Sequence, residues 1–112
     1  MGDARMEVPY GSLDLLILKT LEGLGPMHGW GIARRIEQVC ESLLTLGQGT
    51  LYPALVRLEQ DGLIRSKWGT SDNGRRARFY SLTPRGARRL RVQIDEWVRV
   101  TGVIAAALGV PR

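Results

Sequence analysis

Cysteine, histidine and phenylalanine are almost missing from this 112-residue chain, which holds one of each. The lone Cys40 excludes an internal disulfide framework and fits a reducing compartment, so the cytoplasm is the expected location. His28 and Cys40 are too few ligands for a structural zinc site, and no metal or other cofactor is expected. The same scarcity leaves no nucleophile–base–acid set to assemble, so an enzyme is not expected. Long apolar runs are missing as well. Leu15 to Leu18 is far too short to cross a bilayer, and the opening MGDARMEVPYG mixes charges without the apolar stretch of a secretory signal. Gly29-Trp30-Gly31 lacks the preceding strand and the later glycine of a phosphate-binding loop. His28 reads as part of the turn before a helix. Cys40 sits on an apolar stripe and reads as inert packing; a redox sensor would need a lowered pKa and access.

Acidic side chains thin out along the chain. The net charge is +5, but residues 1–61 hold five basic and eight acidic side chains, a net −3. Residues 62–83 hold five and one, and residues 84–112 six and two, each a net +4. The positive field is therefore concentrated between Arg65 and Arg91, which implies a polyanionic partner, nucleic acid first. The length suits one domain with a modest core, so association between chains is a natural route to further burial.

No repeat or low-complexity linker interrupts the chain, and six elements follow in order. A first helix is expected from Ser12 to Leu24, with Leu13, Ile17, Leu21 and Leu24 on one face and Leu15 and Leu18 on another. A second runs from Gly29 to Glu41, with Ile32, Ile36, Val39 and Cys40 facing the core. A third opens at Gln48 or Gly49 and closes at Gly62, whose missing Cβ suits a C-cap. Its inward residues are Leu51, Leu55 and Leu58; Pro53 is expected in the first turn, where proline is tolerated. Leu63 to Trp68 alternates as a strand, with Ile64, Ser66 and Trp68 on one side and Arg65 and Lys67 on the other. A turn-rich segment from Gly69 to Arg76 leads to a return strand, Arg78 to Leu82. Thr83-Pro84 then caps a last helix running to Leu108. In that helix Ala87, Leu90, Ile94, Trp97, Thr101, Ile104 and Leu108 repeat at alternating spacings of three and four, a heptad seam that calls for another helix.

Helix, helix, helix, strand, strand is the order of a winged helix-turn-helix, a mainly α (α+β) fold, here with a long C-terminal dimerisation helix. The expected organisation is an N-terminal arm at 1–11, a DNA-binding domain at 12–83 and the dimerisation helix at 84–112. In such a fold the third helix enters the major groove of double-stranded DNA and the hairpin forms a wing. Gln48, Thr50, Tyr52, Pro53 and Arg57 occupy the outward face of that helix. Glutamine and arginine suit bidentate contacts to adenine and guanine, while Thr50 and Tyr52 can donate to phosphate. Lys67, Arg75, Arg76 and Arg78 flank the Asn73-Gly74 tip, a basic hairpin suited to phosphate or to the narrow minor groove.

The chain also resembles the PadR-type bacterial transcriptional regulators. The resemblance rests on Gly11-Ser12-Leu13-Asp14-Leu15-Leu16-Ile17-Leu18, Met27-His28-Gly29-Trp30-Gly31-Ile32-Ala33, Gly49-Thr50-Leu51-Tyr52-Pro53-Ala54-Leu55 and Leu58-Glu59-Gln60-Asp61-Gly62-Leu63-Ile64. It continues through Arg75-Arg76, Tyr80-Ser81-Leu82-Thr83-Pro84 and Gly86. Trp30 departs from the usual tyrosine. The short tail looks like the family's smaller subclass, with a single C-terminal helix. The resemblance implies a homodimer built from the first and last helices, repression of nearby promoters, and relief by a small molecule.

The expected dimer interface comprises Leu15, Leu18, Leu90, Ile94, Trp97, Thr101, Ile104 and Leu108. Two copies of Trp97 near the two-fold axis, with Leu15 and Leu18, form a candidate cleft for a flat aromatic or cationic effector, although plain interface packing explains Trp97 equally well. A two-fold protein expects a palindromic operator. The competing reading is a winged-helix adaptor that dimerises without binding DNA.

Overall fold

The computed structural model describes residues 12–40, 46 and 48–111. The expected arm at 1–11 and the end of the second helix at Glu41 lie outside them, as does the side chain of Gln48. Four helices and a small sheet follow in the order α1 (Ser12–Leu24), β1 (Met27–His28), α2 (Gly29–Val39), α3 (Gln48–Gln60), β2 (Ile64–Thr70), β3 (Arg76–Leu82) and α4 (Pro84–Leu108). The sheet is antiparallel in the order β1-β3-β2, with Met27 opposite Tyr80 and Trp68 opposite Arg78. This is the winged-helix architecture, mainly α with a β wing. Among the described residues no helix is long and apolar enough to cross a membrane.

One apolar core holds the three helices to the root of the hairpin. Ile17, Leu18 and Leu21 of α1 meet Ile32 and Ile36 of α2, Leu51, Leu55 and Leu58 of α3, Ile64 of β2 and Leu90 of α4. The helix–helix–helix face is thus satisfied within one chain, at the positions where apolar side chains recur every three to four residues.

Several expectations change. Leu18 and Leu90, expected at the dimer seam, are completely enclosed in the core of their own chain. The reason is that α1 and α4 pack on each other within the protomer. Leu18 is therefore equally unavailable to a ligand at a dimer cleft. Leu24 ends α1 at 51% exposure, one turn past the core's edge, and Val39 is 62% exposed because Cys40 takes the inward position in that turn. Pro53 falls sixth in α3, beyond the first turn. Its missing N–H leaves the carbonyl of Gly49 without an intrahelical donor, and Gly49 is exposed to water that can replace it. Both long strands reach further toward the tip than the alternation suggested, since Thr70 still pairs with Arg76.

The junction between α3, the hairpin and α4 is tightly specified. Gly62 adopts φ +75°, and the Gly62 and Leu63 amides donate back to Glu59 and Leu58 carbonyls at 3.0 Å each, a Schellman closure of α3. Thr83 caps α4: its hydroxyl accepts from the Gly86 amide at 3.0 Å and donates to the Gly62 carbonyl at 2.7 Å. Its own amide donates to the Leu63 carbonyl at 3.1 Å. The first turn of α4 lies so close to β2 that a Cβ on Gly86 would stand 2.0 Å from the Leu63 carbonyl oxygen.

Gly86→Ala must therefore push α4 off the hairpin root. A stability loss of about 3 kcal/mol, the upper end of ordinary overpacking, is expected from urea denaturation. An unchanged midpoint would mean that the two segments do not touch in solution.

Candidate nucleic-acid interface

The outward face of α3 begins at its N-terminal end. Leu51, Ala54, Leu55 and Leu58 are buried, which turns Thr50, Tyr52, Pro53, Val56 and Arg57 outward. Tyr52 is the large side chain of this face, 46% exposed. A helix that buries one stripe and keeps its first turns free is shaped to enter a groove.

The hairpin presents a second surface. Residues alternate across it, so Ser66, Trp68, Arg76, Arg78 and Tyr80 share one face and Arg65, Lys67 and Phe79 the other. At the tip, Ser71 and Gly74 close the turn through Ser71 N–H to the Arg75 carbonyl at 2.8 Å and Gly74 N–H to the Ser71 carbonyl at 2.9 Å. Gly74 takes φ +80°, a conformation that other residues rarely adopt. On the first face, the Arg76 and Arg78 guanidiniums lie 4.9 and 5.3 Å from the Trp68 ring centre. Tyr80 is buried beneath them. Burial pushes its hydroxyl above the ordinary value; Arg78 opposes this, while Glu59 and Tyr52 add to it. Tyr80 is therefore a neutral hydroxyl at the floor.

A third edge comes from the start of α2. His28 caps that helix, its Nδ1 accepting from the Gly31 amide at 3.0 Å. Its ring stacks on Trp30 at 6.0 Å and meets the edge of Phe79 at 5.6 Å. Arg34 covers the Trp30 ring at 5.0 Å. The short strand β1 makes this possible, because His28 pairs directly with Phe79.

These three edges enclose a groove of about 800 Å³, lined among others by His28, Trp30, Tyr52, Trp68, Arg76 and Arg78. Arg75 also lines it, and among the described residues its one acidic lining side chain is Asp72. A concave, cationic surface with hydroxyls and aromatic rings beside a free helix face is suited to a phosphate backbone.

Of the residues expected to bind DNA, Tyr52, Arg75, Arg76 and Arg78 come together in this groove, and Thr50 and Pro53 lie exposed on the adjoining helix face. Lys67 points to the opposite face of the hairpin. Arg57 lies in the last turn of α3, and its guanidinium pairs with the Asp14 carboxylate of α1. One arm of its fork is thus occupied by the protein's own acid. His28, Trp30, Trp68 and Tyr80 were not among the expected site residues. Only Trp68 carried a usable signal, since the alternation already placed it beside Ser66.

The expected dimer residues outside the core are spread along α4. Ile94, Trp97, Ile104 and Leu108 are 37%, 50%, 51% and 70% exposed, and Val98, Val100 and Val103 are exposed beside them. Thr101 turns its hydroxyl back to the Trp97 carbonyl at 2.8 Å, so it adds no unpaired donor to that surface. Leu15 is half-buried on α1.

Comparison with known proteins agrees with this geometry. The model of the transcriptional regulator PadR-like family matches residues 17–92. A PadR family transcription regulator from a hypervirulent Clostridium difficile superposes with a TM-score of 0.76 at 33% identity, covering 88% of this chain and 99% of the other. A transcriptional regulator from Clostridium thermocellum gives 0.78 at 31% identity, covering 86% and 92%. A 37.1 kDa protein of transposon Tn4556 from Streptomyces fradiae is 41% identical over 78 residues; these are 70% of this chain but only 21% of that protein.

Proposed function

The chain belongs to the PadR-like family of transcriptional regulators, and from that premise we propose that it is a homodimeric repressor that binds a palindromic double-stranded operator and is released by a small-molecule effector. The observation that carries this reading is the cationic groove of Arg75, Arg76 and Arg78 set beside the free face of α3. A wing and a reading helix on one side of a small domain match the two surfaces that a duplex offers, its phosphate backbone and its base edges. Thr50, Tyr52 and Pro53 are the proposed contacts of the helix, together with Gln48. Lys67, on the opposite face of the hairpin, is proposed as a peripheral phosphate contact. The cytoplasm is the compartment this role requires.

Dimerisation is supported by α4. A helix of 25 residues is about 37 Å long, and its outer half leaves a row of valine, isoleucine, tryptophan and leucine side chains in water. Exposed apolar stripes of this kind mark an interaction surface. A second copy covers it most economically, since the same stripe is self-complementary about a two-fold axis. Ile94, Trp97, Thr101, Ile104 and Leu108 form the proposed seam, with Leu15 at its inner end. The effector is proposed to lie against Leu15 and Trp97, between the two subunits.

Mobility shift with DNA upstream of the protein's own gene, across a salt series, tests the main reading. Affinity should fall steeply as salt rises, and Arg76→Ala should reduce the slope of log affinity against log salt by about one. No binding at all would favour a dimerising adaptor, and binding that ignores salt would remove the cationic groove from the contact. Trp97→Asp should yield monomers in sedimentation velocity, and intact dimers would remove the seam. Tryptophan emission should change when an effector releases the operator; release with unchanged emission would take Trp97 out of the effector site.

A further inference from the structure

Trp68 has no obvious reason to be where it is. It stands on the first face of the wing, 55% exposed, and contributes nothing to the core. Its surroundings explain it. Arg78 is its direct cross-strand partner and Arg76 lies diagonally opposite. Both guanidiniums fall within the range at which an indole face attracts a cation. Two arginines two residues apart would otherwise repel each other and sample many rotamers.

Arg78 is fixed by a second restraint. Its Nε donates to Ser66 Oγ at 3.0 Å, and Ser66 Oγ donates in turn to Glu59 Oε2 at 2.7 Å. The serine hydroxyl has one hydrogen, so the direction of this relay is set: arginine to serine to glutamate. Nε is consumed, while among the described residues no acceptor takes a hydrogen bond from the terminal nitrogens of the fork, which suits them to an acceptor outside the protein. Glu59 belongs to α3. The relay therefore ties the wing arginine to the reading helix itself, and its carboxylate offsets the crowding of two positive charges.

We propose that Trp68 is a positioning residue for DNA binding: together with the Ser66–Glu59 relay it holds the Arg76 and Arg78 guanidiniums in place over the groove before DNA arrives. This rests on the DNA-binding reading above. Side chains already ordered lose less freedom on binding, so the device raises affinity without adding a contact. Trp68 carries no charge and neutralises no phosphate, which separates its effect from that of the arginines it holds.

The test combines affinity, salt slope and a cycle of variants, using the full chain and DNA upstream of its own gene. Trp68→Leu should weaken binding roughly five- to tenfold with the salt slope unchanged, and Trp68→Phe, which keeps a ring face, should recover most of it. Ser66→Ala should act in the same direction, again without a change of slope. In an Arg76→Ala/Arg78→Ala background, Trp68→Leu should have no further effect. A persistent loss in that background would mean that Trp68 touches DNA directly, and a changed slope in Trp68→Leu alone would mean that it is part of the charge contact; either overturns the proposal. Side-chain NMR of the arginine Nε–H groups without DNA gives an independent reading. Ring-current shifts for Arg76 and Arg78 should vanish in Trp68→Leu, and their absence from the wild type would overturn the arrangement itself. Wild-type protein that keeps these shifts but binds no DNA would instead overturn the functional reading, and the positioning role with it.

Discussion

One close approach, between the first turn of α4 and the backbone of Leu63, decides where the functional parts of this protein point. Gly86 allows it, and Thr83 secures it with bonds to Gly62 and Gly86. Because Gly62 also closes α3, the end of the reading helix, the root of the wing and the start of the long helix share one small knot of backbone. None of the three can tilt independently of the other two. The groove between α3 and the hairpin is a consequence of that knot, and so is the direction in which α4 leaves the domain.

A rigid root also explains why the polar groups of the wing are worth ordering. The relay from Arg78 through Ser66 to Glu59 spans the hairpin and α3. It would strain or break if those elements moved separately. On the other side His28 joins α2 to β3 through its edge contact with Phe79, and the tight packing of the Phe79 ring over Gly69 leaves no room for a side chain there. The cationic surface is thus held from three directions, by α2, by α3 and by its own cross-strand pairs. Charge attracts a polyanion at a distance, but ordered charge is what binds it closely.

Much of this was legible in the residues. Apolar spacing revealed α1 and α4, and caps and breakers such as Ser12, Pro26 and Thr83-Pro84 set their ends, as Gly62 did for α3, by local chemistry alone. The alternation in β2 gave the correct face for Ser66 and Trp68. What could not be read was tertiary. Two residues, Met27 and His28, are too few for any period to reveal, yet as β1 they bring Trp30 to the groove. Arg57 has the right spacing for an outward reading position, but only the packing of α1 shows that Asp14 reaches it. Leu18 and Leu90 illustrate the same limit from the apolar side. An apolar stripe says that a residue faces some other helix, not whether that helix belongs to the same chain.

The proposed dimer sets two grooves and two reading helices together against one duplex. Hydroxyl-radical footprinting on an operator selected from the protein's own genome tests it directly. Two protected windows are expected on one face of the DNA, centred about one helical turn or a multiple of it apart and related by the operator's dyad. A single window, or uniform protection without phase, would contradict it.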